Sequence, residues 1–152
     1  MSKEFEQDRE TPQQPGRVLA LDIGAKRVGV AISDEMRLTV RPLKALSRTN
    51  WKQLVKDLSA LCEKFDVRGV VLGLPLRADG VEGDAALEMR NVARKLELSL
   101  RLPVSLQDER FTSKTAEAAL RRGGFDEREV SANSDSEAAA IILRDYLACT
   151  VE

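Results

Sequence analysis

Between Val18 and Val40 the chain holds three short β-rich runs, Val18 to Ile23, Val28 to Ser33 and Leu38 to Val40, and the connections between them are too short to form helices. Strands joined that closely can only return antiparallel, which predicts a meander. Beyond it the pattern changes. Asn50 is a suitable helix N-cap, and Trp51, Leu54, Val55, Leu58, Leu61, Cys62 and Phe65 follow at helical spacing, with Trp51 read as part of the apolar face. Val67 to Leu74 is a buried strand ending at Pro75. After a loop, Ala86, Met89, Val92, Ala93, Leu96 and Leu100 form the inner face of a helix from about Ala85 to Leu100, and Val104 to Gln107 is a fifth strand. A helix from about Lys114 to Arg122 stops at Gly123-Gly124, and a last one opens at the capping-box pattern of Ser134 to Glu137 and runs to about Ala148. The order βββαβαβαα predicts a mixed α/β domain over residues 17–152, in which parallel crossover strands extend an antiparallel β1–β3 unit and helices cover both faces.

The first strand contains Asp22. An ionised carboxylate within an apolar run loses hydration at a cost of several kcal/mol unless a cation or hydrogen-bond donors replace the water. Strand alternation puts Val18, Ala20 and Asp22 on one face, with Asp22 at the carboxyl end, where open α/β sheets bind ligands. In the last helix Asp135 takes the first helical position, with Ala138, Ala139, Ile142 and Tyr146 on its side, small residues that allow close approach to the sheet. A third acid comes from "LQDERFTS", where Asp108 or Glu109 reaches the same end; alternation does not choose between them.

Composition narrows the chemistry. With no histidine among 152 residues, Ser-His-Asp and Cys-His catalysis and His-ligated zinc are excluded, so acid–base and metal work falls to carboxylates. Cys62 and Cys149 lie far apart at apolar helical positions and read as buried structural thiols. Carboxylates converging from two strand ends and a helix suit two hard divalent cations, Mg2+ or Mn2+, about 4 Å apart, which serve phosphodiester hydrolysis. Lys26, Arg27, Arg110 and Lys114 follow these acids closely and are the candidate phosphate contacts.

The formal net charge is -1, but residues 1–16 carry four acids against two bases, leaving 22 basic and 21 acidic residues in the remainder. That balance permits a nucleic-acid substrate once cations are bound. The polar stretch 1–16, ending in Pro15-Gly16, reads as a disordered leader; it has no apolar segment of a signal peptide, and no membrane span follows, so the expectation is a cytoplasmic protein. A monomer and a homodimer are both compatible with the sequence.

"LALDIGAKRVGVAISD", "VVLGLPLRADGVEG", "LQDERFTS" and "DSEAAAIIL", in this order and spacing, resemble the YqgF family, also called RuvX, over about residues 17 to 147. The resemblance implies a ribonuclease-H-like fold and metal-dependent nuclease chemistry on four-way junction DNA or precursor 16S ribosomal RNA. It carries over Asp22, Glu109 and Asp135 as the acidic triad, choosing Glu109 over Asp108. Arg77 stands where the family typically has a polar uncharged residue and joins the candidate nucleic-acid contacts. Two other readings compete. The "DIGAKRVGVAISD" hairpin also resembles the phosphate-binding hairpin of actin-like ATPases and sugar kinases, whose glycine lets backbone approach phosphate, although those enzymes need two such domains. A catalytically weak module that binds nucleic acid with the same face is the other.

Overall fold

The first hairpin sets the frame. In the computed structural model, described over residues 16–75, 83–108 and 127–150, with side chains of the last segment described from Ser136 to Cys149, β1 (Arg17–Ile23) and β2 (Arg27–Ser33) pair antiparallel from Leu19 opposite Ile32 to Ile23 opposite Val28. β3 (Val40–Ser47) pairs antiparallel with β2, and β4 (Val67–Leu74) and β5 (Val104–Asp108) add in parallel on the other side of β1, giving the order β3-β2-β1-β4-β5. This is the mixed five-stranded sheet that the connection lengths predict.

Alternation sorts the strand side chains into two cores. Leu19 and Leu21 of β1, with Val28, Val30, Ile32, Val70 and Leu72, pack under α1 (Trp51–Phe65) and α2 (Asp84–Leu100). Val18, Ala20, Ala31 and Val71 pack on the opposite face under α3 (Glu127–Thr150), against Ala139, Ala140, Ile142 and Leu143. Helices therefore cover both faces. Leu54 and Leu58 of α1 and Leu96 of α2 are wholly buried, each removal from water being worth about 1.5–3 kcal/mol. Asn50 caps α1 as its sequence position predicts: its backbone is extended and its side chain accepts a 3.0 Å bond from the Gln53 N–H. The helix ends on Asp66 in the left-handed conformation, φ 53°, with its N–H turned back to the last-turn carbonyls.

Four sequence expectations are corrected. β3 starts at Val40, where the predicted run ended, and continues through Pro42 to Ser47; its periodicity is broken because the β2–β3 register slips by one residue between Val28 opposite Leu46 and Val30 opposite Leu43. Trp51 is 38% exposed rather than in the core, because it opens α1 beyond the buried turn, and its ring lies 5.8 Å from the Lys95 ammonium of α2. α3 begins at Glu127, so Ser134 to Glu137 lie inside a helix and do not cap its start. Nothing in 127–133, "EREVSAN", breaks a helix, and local propensity carries it back past the capping-box pattern. Cys149 is exposed and Cys62 half-buried, so only Cys62 approaches the predicted packing role. The expected helix over 114–122, the leader over 1–15 and the loop over 76–82 lie outside the described residues.

Candidate active site

Asp22 shares the face of Val18 and Ala20, the face covered by α3. Its antiparallel neighbour is Gly29. On the other side Leu21 aligns with Leu72, so one step on Asp22 stands beside Gly73. Neither flanking position carries a side chain, so the half-buried carboxylate has no large neighbour within the sheet. The residue is not without an interaction partner in the fold, as a carboxylate in this apolar setting requires.

α3 is fastened at the same place. Where the β2–β3 register slips, the Val30 N–H donates to the Ser136 hydroxyl at 3.2 Å, a bond between residues 106 positions apart. Ser136 is 5% exposed. At its other end α3 meets β5, where the Tyr146 and Ser105 hydroxyls lie 3.4 Å apart. Ten helical residues span about 15 Å and three strand spacings about 14 Å, so α3 lies across the strands and closes over the Asp22 face. The backbone of residue 135 is thereby placed one residue from a contact to Val30, itself next to Gly29, the partner of Asp22. The side chain of Asp135 lies outside the described residues. Glu137 does not reach back along the helix as a capping box would have it; its carboxylate lies 4.0 Å from the Arg144 guanidinium.

The third carboxylate depends on β5. Val71 aligns with Ser105 and Leu72 with Leu106, and Leu106 packs into the α1–α2 core while Ser105 meets α3. Asp108 follows Leu106 by two and shares its face, opposite to that of Asp22. Glu109 lies outside the described residues, as do Arg77, Arg110 and Lys114. Among the described residues no three acidic, histidine or cysteine groups cluster as metal ligands.

Lys26 and Arg27 are both exposed on the β1–β2 turn, at the Asp22 end of the sheet. The turn closes by a 2.9 Å bond from the Gly24 N–H to the Arg27 carbonyl. A Cβ on Gly24 would lie 3.0 Å from that carbonyl oxygen, so the glycine serves the turn itself. Arg48 holds it from outside: its backbone N–H donates to the Lys26 carbonyl at 2.9 Å, Nη1 donates to the Gly24 carbonyl at 2.7 Å, and Nη2 pairs with Glu88 of α2 at 3.0 Å. Sequence reasoning missed Arg48, because nothing local in "LSRTN" marks a contact with a turn more than twenty residues away. Asp34, which ends the same motif, is used by the fold: the Thr39 and Leu38 N–H groups donate to its carboxylate at 2.8 and 2.7 Å and hold its pKa below the usual range.

The donor chemistry fits a hard cation on the evidence of Asp22 alone, an oxygen ligand at the carboxyl end of the central strand between two positions without side chains. A five-stranded mixed sheet with that carboxylate, closed by a helix laid across its face, defines the ribonuclease-H-like class. Within it the chain belongs to the RuvX family: the family model described as "RuvX: Holliday junction resolvase" matches residues 16–149. A relative from Syntrophus aciditrophicus is 41% identical over 131 residues, covering 86% of this chain and 87% of its own, and one from Maridesulfovibrio salexigens is 40% identical over 132 residues, covering 87% and 98%; both carry the name "Putative pre-16S rRNA nuclease". Two solved structures share the fold. The Thermus thermophilus RuvC in complex with a Holliday junction superposes with a TM-score of 0.52 at 16% identity over 90% of this chain and 96% of that one, and the fowlpox virus resolvase with Holliday junction DNA with 0.57 at 11% over 90% and 99%.

Proposed function

We propose that this chain is a metal-dependent endonuclease that hydrolyses phosphodiester bonds in structured nucleic acid, with precursor 16S ribosomal RNA as its substrate. The observation that carries the reading is the placement of Asp22, at the carboxyl end of the central strand and under the helix turn that Ser136 fastens to β2. Membership of the RuvX family and the names of relatives about 40% identical supply the substrate class. The family description favours a second reading, Holliday junction DNA, on the same site.

Asp22, Glu109 and Asp135 are the residues that would hold two Mg2+ or Mn2+ ions. Asp108 shares the opposite face with Leu106, which supports the next residue in sequence, Glu109, as the acid that joins Asp22 from the end of β5. Bound there, such cations supply a water of lowered pKa and neutralise charge on the departing oxygen. The protein's own share is positional. Asp22 presents a carboxylate from a rigid strand, and α3 excludes bulk water from that face. Lys26 and Arg27 offer cations to the phosphates beside the scissile one, on a turn that Arg48 holds still, while Arg77, Arg110 and Lys114 extend that contact. With no histidine in the chain, proton transfer falls to water and carboxylates.

The test is incubation of the purified full chain with end-labelled precursor 16S rRNA fragments and with a four-way DNA junction, each with manganese and with chelator. Discrete products from the RNA in manganese alone are expected. Cleavage of the junction with intact RNA would select the second reading, and no cleavage of either would leave a binding module without catalysis.

A further inference from the structure

A second basic surface lies away from Asp22, on the α1 side of the sheet. The Phe65 ring at the end of α1 is approached by three cations: the Arg17 and Arg41 guanidinium carbons lie 5.9 and 5.7 Å from its centroid and the Lys64 ammonium 5.3 Å. Among the described residues none of the three forms an ion pair with a carboxylate. From there an open groove of about 410 Å3 runs between β3 and α1, with Lys44 and Lys64 on its walls and Ala45, Leu46, Ala60 and Leu61 as an apolar floor. Its one acid, Asp57, accepts a 2.9 Å bond from the Gln53 side chain.

Three like charges around one ring repel one another, and the ring's attraction, about 0.5–1 kcal/mol for each exposed cation, only partly offsets this. An anion would complete the arrangement. Arg41 sits at the Phe65 ring, and Lys44 lines the groove about 10 Å further along β3, past the register slip that brings it to this side, so a single phosphate cannot reach all of the cations. A polyanion can. An acidic peptide added to the sheet edge fits less well, because β3 carries three features that blunt an edge: Pro42, Lys44 and the register slip after Leu43.

We infer that the β3–α1 groove binds the phosphate backbone of a nucleic acid, holding an arm of the substrate that lies away from the Asp22 site. This rests on the nuclease reading. It makes the protein's grip two-sided, with the cleaved segment under α3 and a second arm on the far face beyond the β3 edge, as a branched or folded nucleic acid allows and a single short duplex does not.

The test uses the full chain in chelator, so that nothing is cut, and measures binding of a fluorescent four-way junction and of a precursor 16S rRNA fragment over a range of salt. Arg41→Glu/Lys64→Glu is compared with Lys52→Glu/Arg94→Glu, two exposed cations outside the groove with the same change of net charge. Arg17 is left intact, since it also donates to the Ser33 carbonyl. The groove variant should bind at least tenfold more weakly at low salt, its slope of log Kd against log salt should fall by about 2, and its melting temperature should match wild type; the control variant should keep most of the wild-type slope. Equal slopes in wild type and the groove variant, or equal losses in both variants, would overturn the inference. So would unchanged nucleic-acid binding with lost binding of polyglutamate, which would assign the groove to an acidic peptide. If wild type bound neither nucleic acid, the nuclease reading would fall as well; if wild type bound here and cleaved in a parallel assay with manganese while the slopes agreed, only the groove would fall.

Discussion

Two acids near the start of the "DSEAAAIIL" motif now have different prospects. Glu137 lies 4.0 Å from Arg144, a long and therefore weak pair between a half-buried carboxylate and an exposed guanidinium, worth about 1 kcal/mol. Asp135 sits one residue from the Ser136 anchor. Asp135→Asn should nearly abolish cleavage, and Glu137→Gln should leave it within about twofold and cost less than about 1 kcal/mol, as read from cleavage rates at saturating manganese with folding checked by circular dichroism. The reverse pattern would mean that α3 is turned relative to this account. The cysteines differ in another way. Burial pushes the Cys62 thiol from its ordinary 9.0 up to about 11, while Cys149 is exposed. At pH 8 iodoacetamide should modify one thiol per native chain, and peptide mass spectrometry should place it on Cys149. Because the folded pKa of Cys62 is raised, its contribution to stability is whole below pH 9 and is lost as pH rises from about 9 toward 11. Asp22 was conspicuous in the sequence because an acid in an apolar strand has few explanations; Arg48 was not, because its role exists only once the chain has folded.

At the scale of elements, what was legible followed from unbroken periodicity. β4 appears at its predicted bounds, and β1, β2, β5, α1 and α2 within a residue or so, since each is a single run with one apolar face or a buried core. β3 was misplaced because a proline and a register slip break its alternation. The start of α3 was misplaced because a local capping pattern lost to helix propensity, and the Ser136 hydroxyl within that pattern accepts a bond from the sheet. The β1–β2 turn is the element most open to test. Arg48→Ala removes the bond to the Gly24 carbonyl and the pair with Glu88 but leaves the backbone bond to Lys26. It should cost about 1–2 kcal/mol of stability and raise KM several-fold with kcat nearly unchanged, as expected if the loosened turn presents Lys26 and Arg27 to phosphate less well. Equal falls in kcat and kcat/KM would place Arg48 in the chemistry rather than in substrate positioning.

For the whole molecule, the decisive pattern was the change from short to long connections. It dictated an antiparallel hairpin unit extended by parallel strands, and so a sheet whose central strand carries Asp22 near its carboxyl end. Net charge hid more than it showed. A total of -1 conceals a basic turn beside the candidate active site and a basic groove on the opposite face, because charge acts locally over a Debye length of about 8 Å in physiological salt. The choice between Asp108 and Glu109 was not legible either, since alternation is relative until one residue of the strand is pinned to a face. Leu106 in the α1–α2 core fixes the face of Asp108, opposite to that of Asp22, while Glu109 lies outside the described residues. Among the described residues no helix is long and apolar enough to cross a membrane.

The central claim is that Asp22 holds a catalytic cation. The most direct measurement is the rate at which Asp22→Asn cleaves precursor 16S rRNA and the four-way junction in manganese, beside thermal melts with and without the metal. A ligand role predicts a fall of at least about 100-fold, since even groups behind the ligands cost 10- to 100-fold. The metal-free mutant should be at least as stable as wild type, because a ligand role implies repulsion among acids that lack their cation, and manganese should raise the melting temperature of wild type more than that of the mutant. Wild-type cleavage by Asp22→Asn, with an undiminished metal-induced rise in melting temperature, would contradict the account.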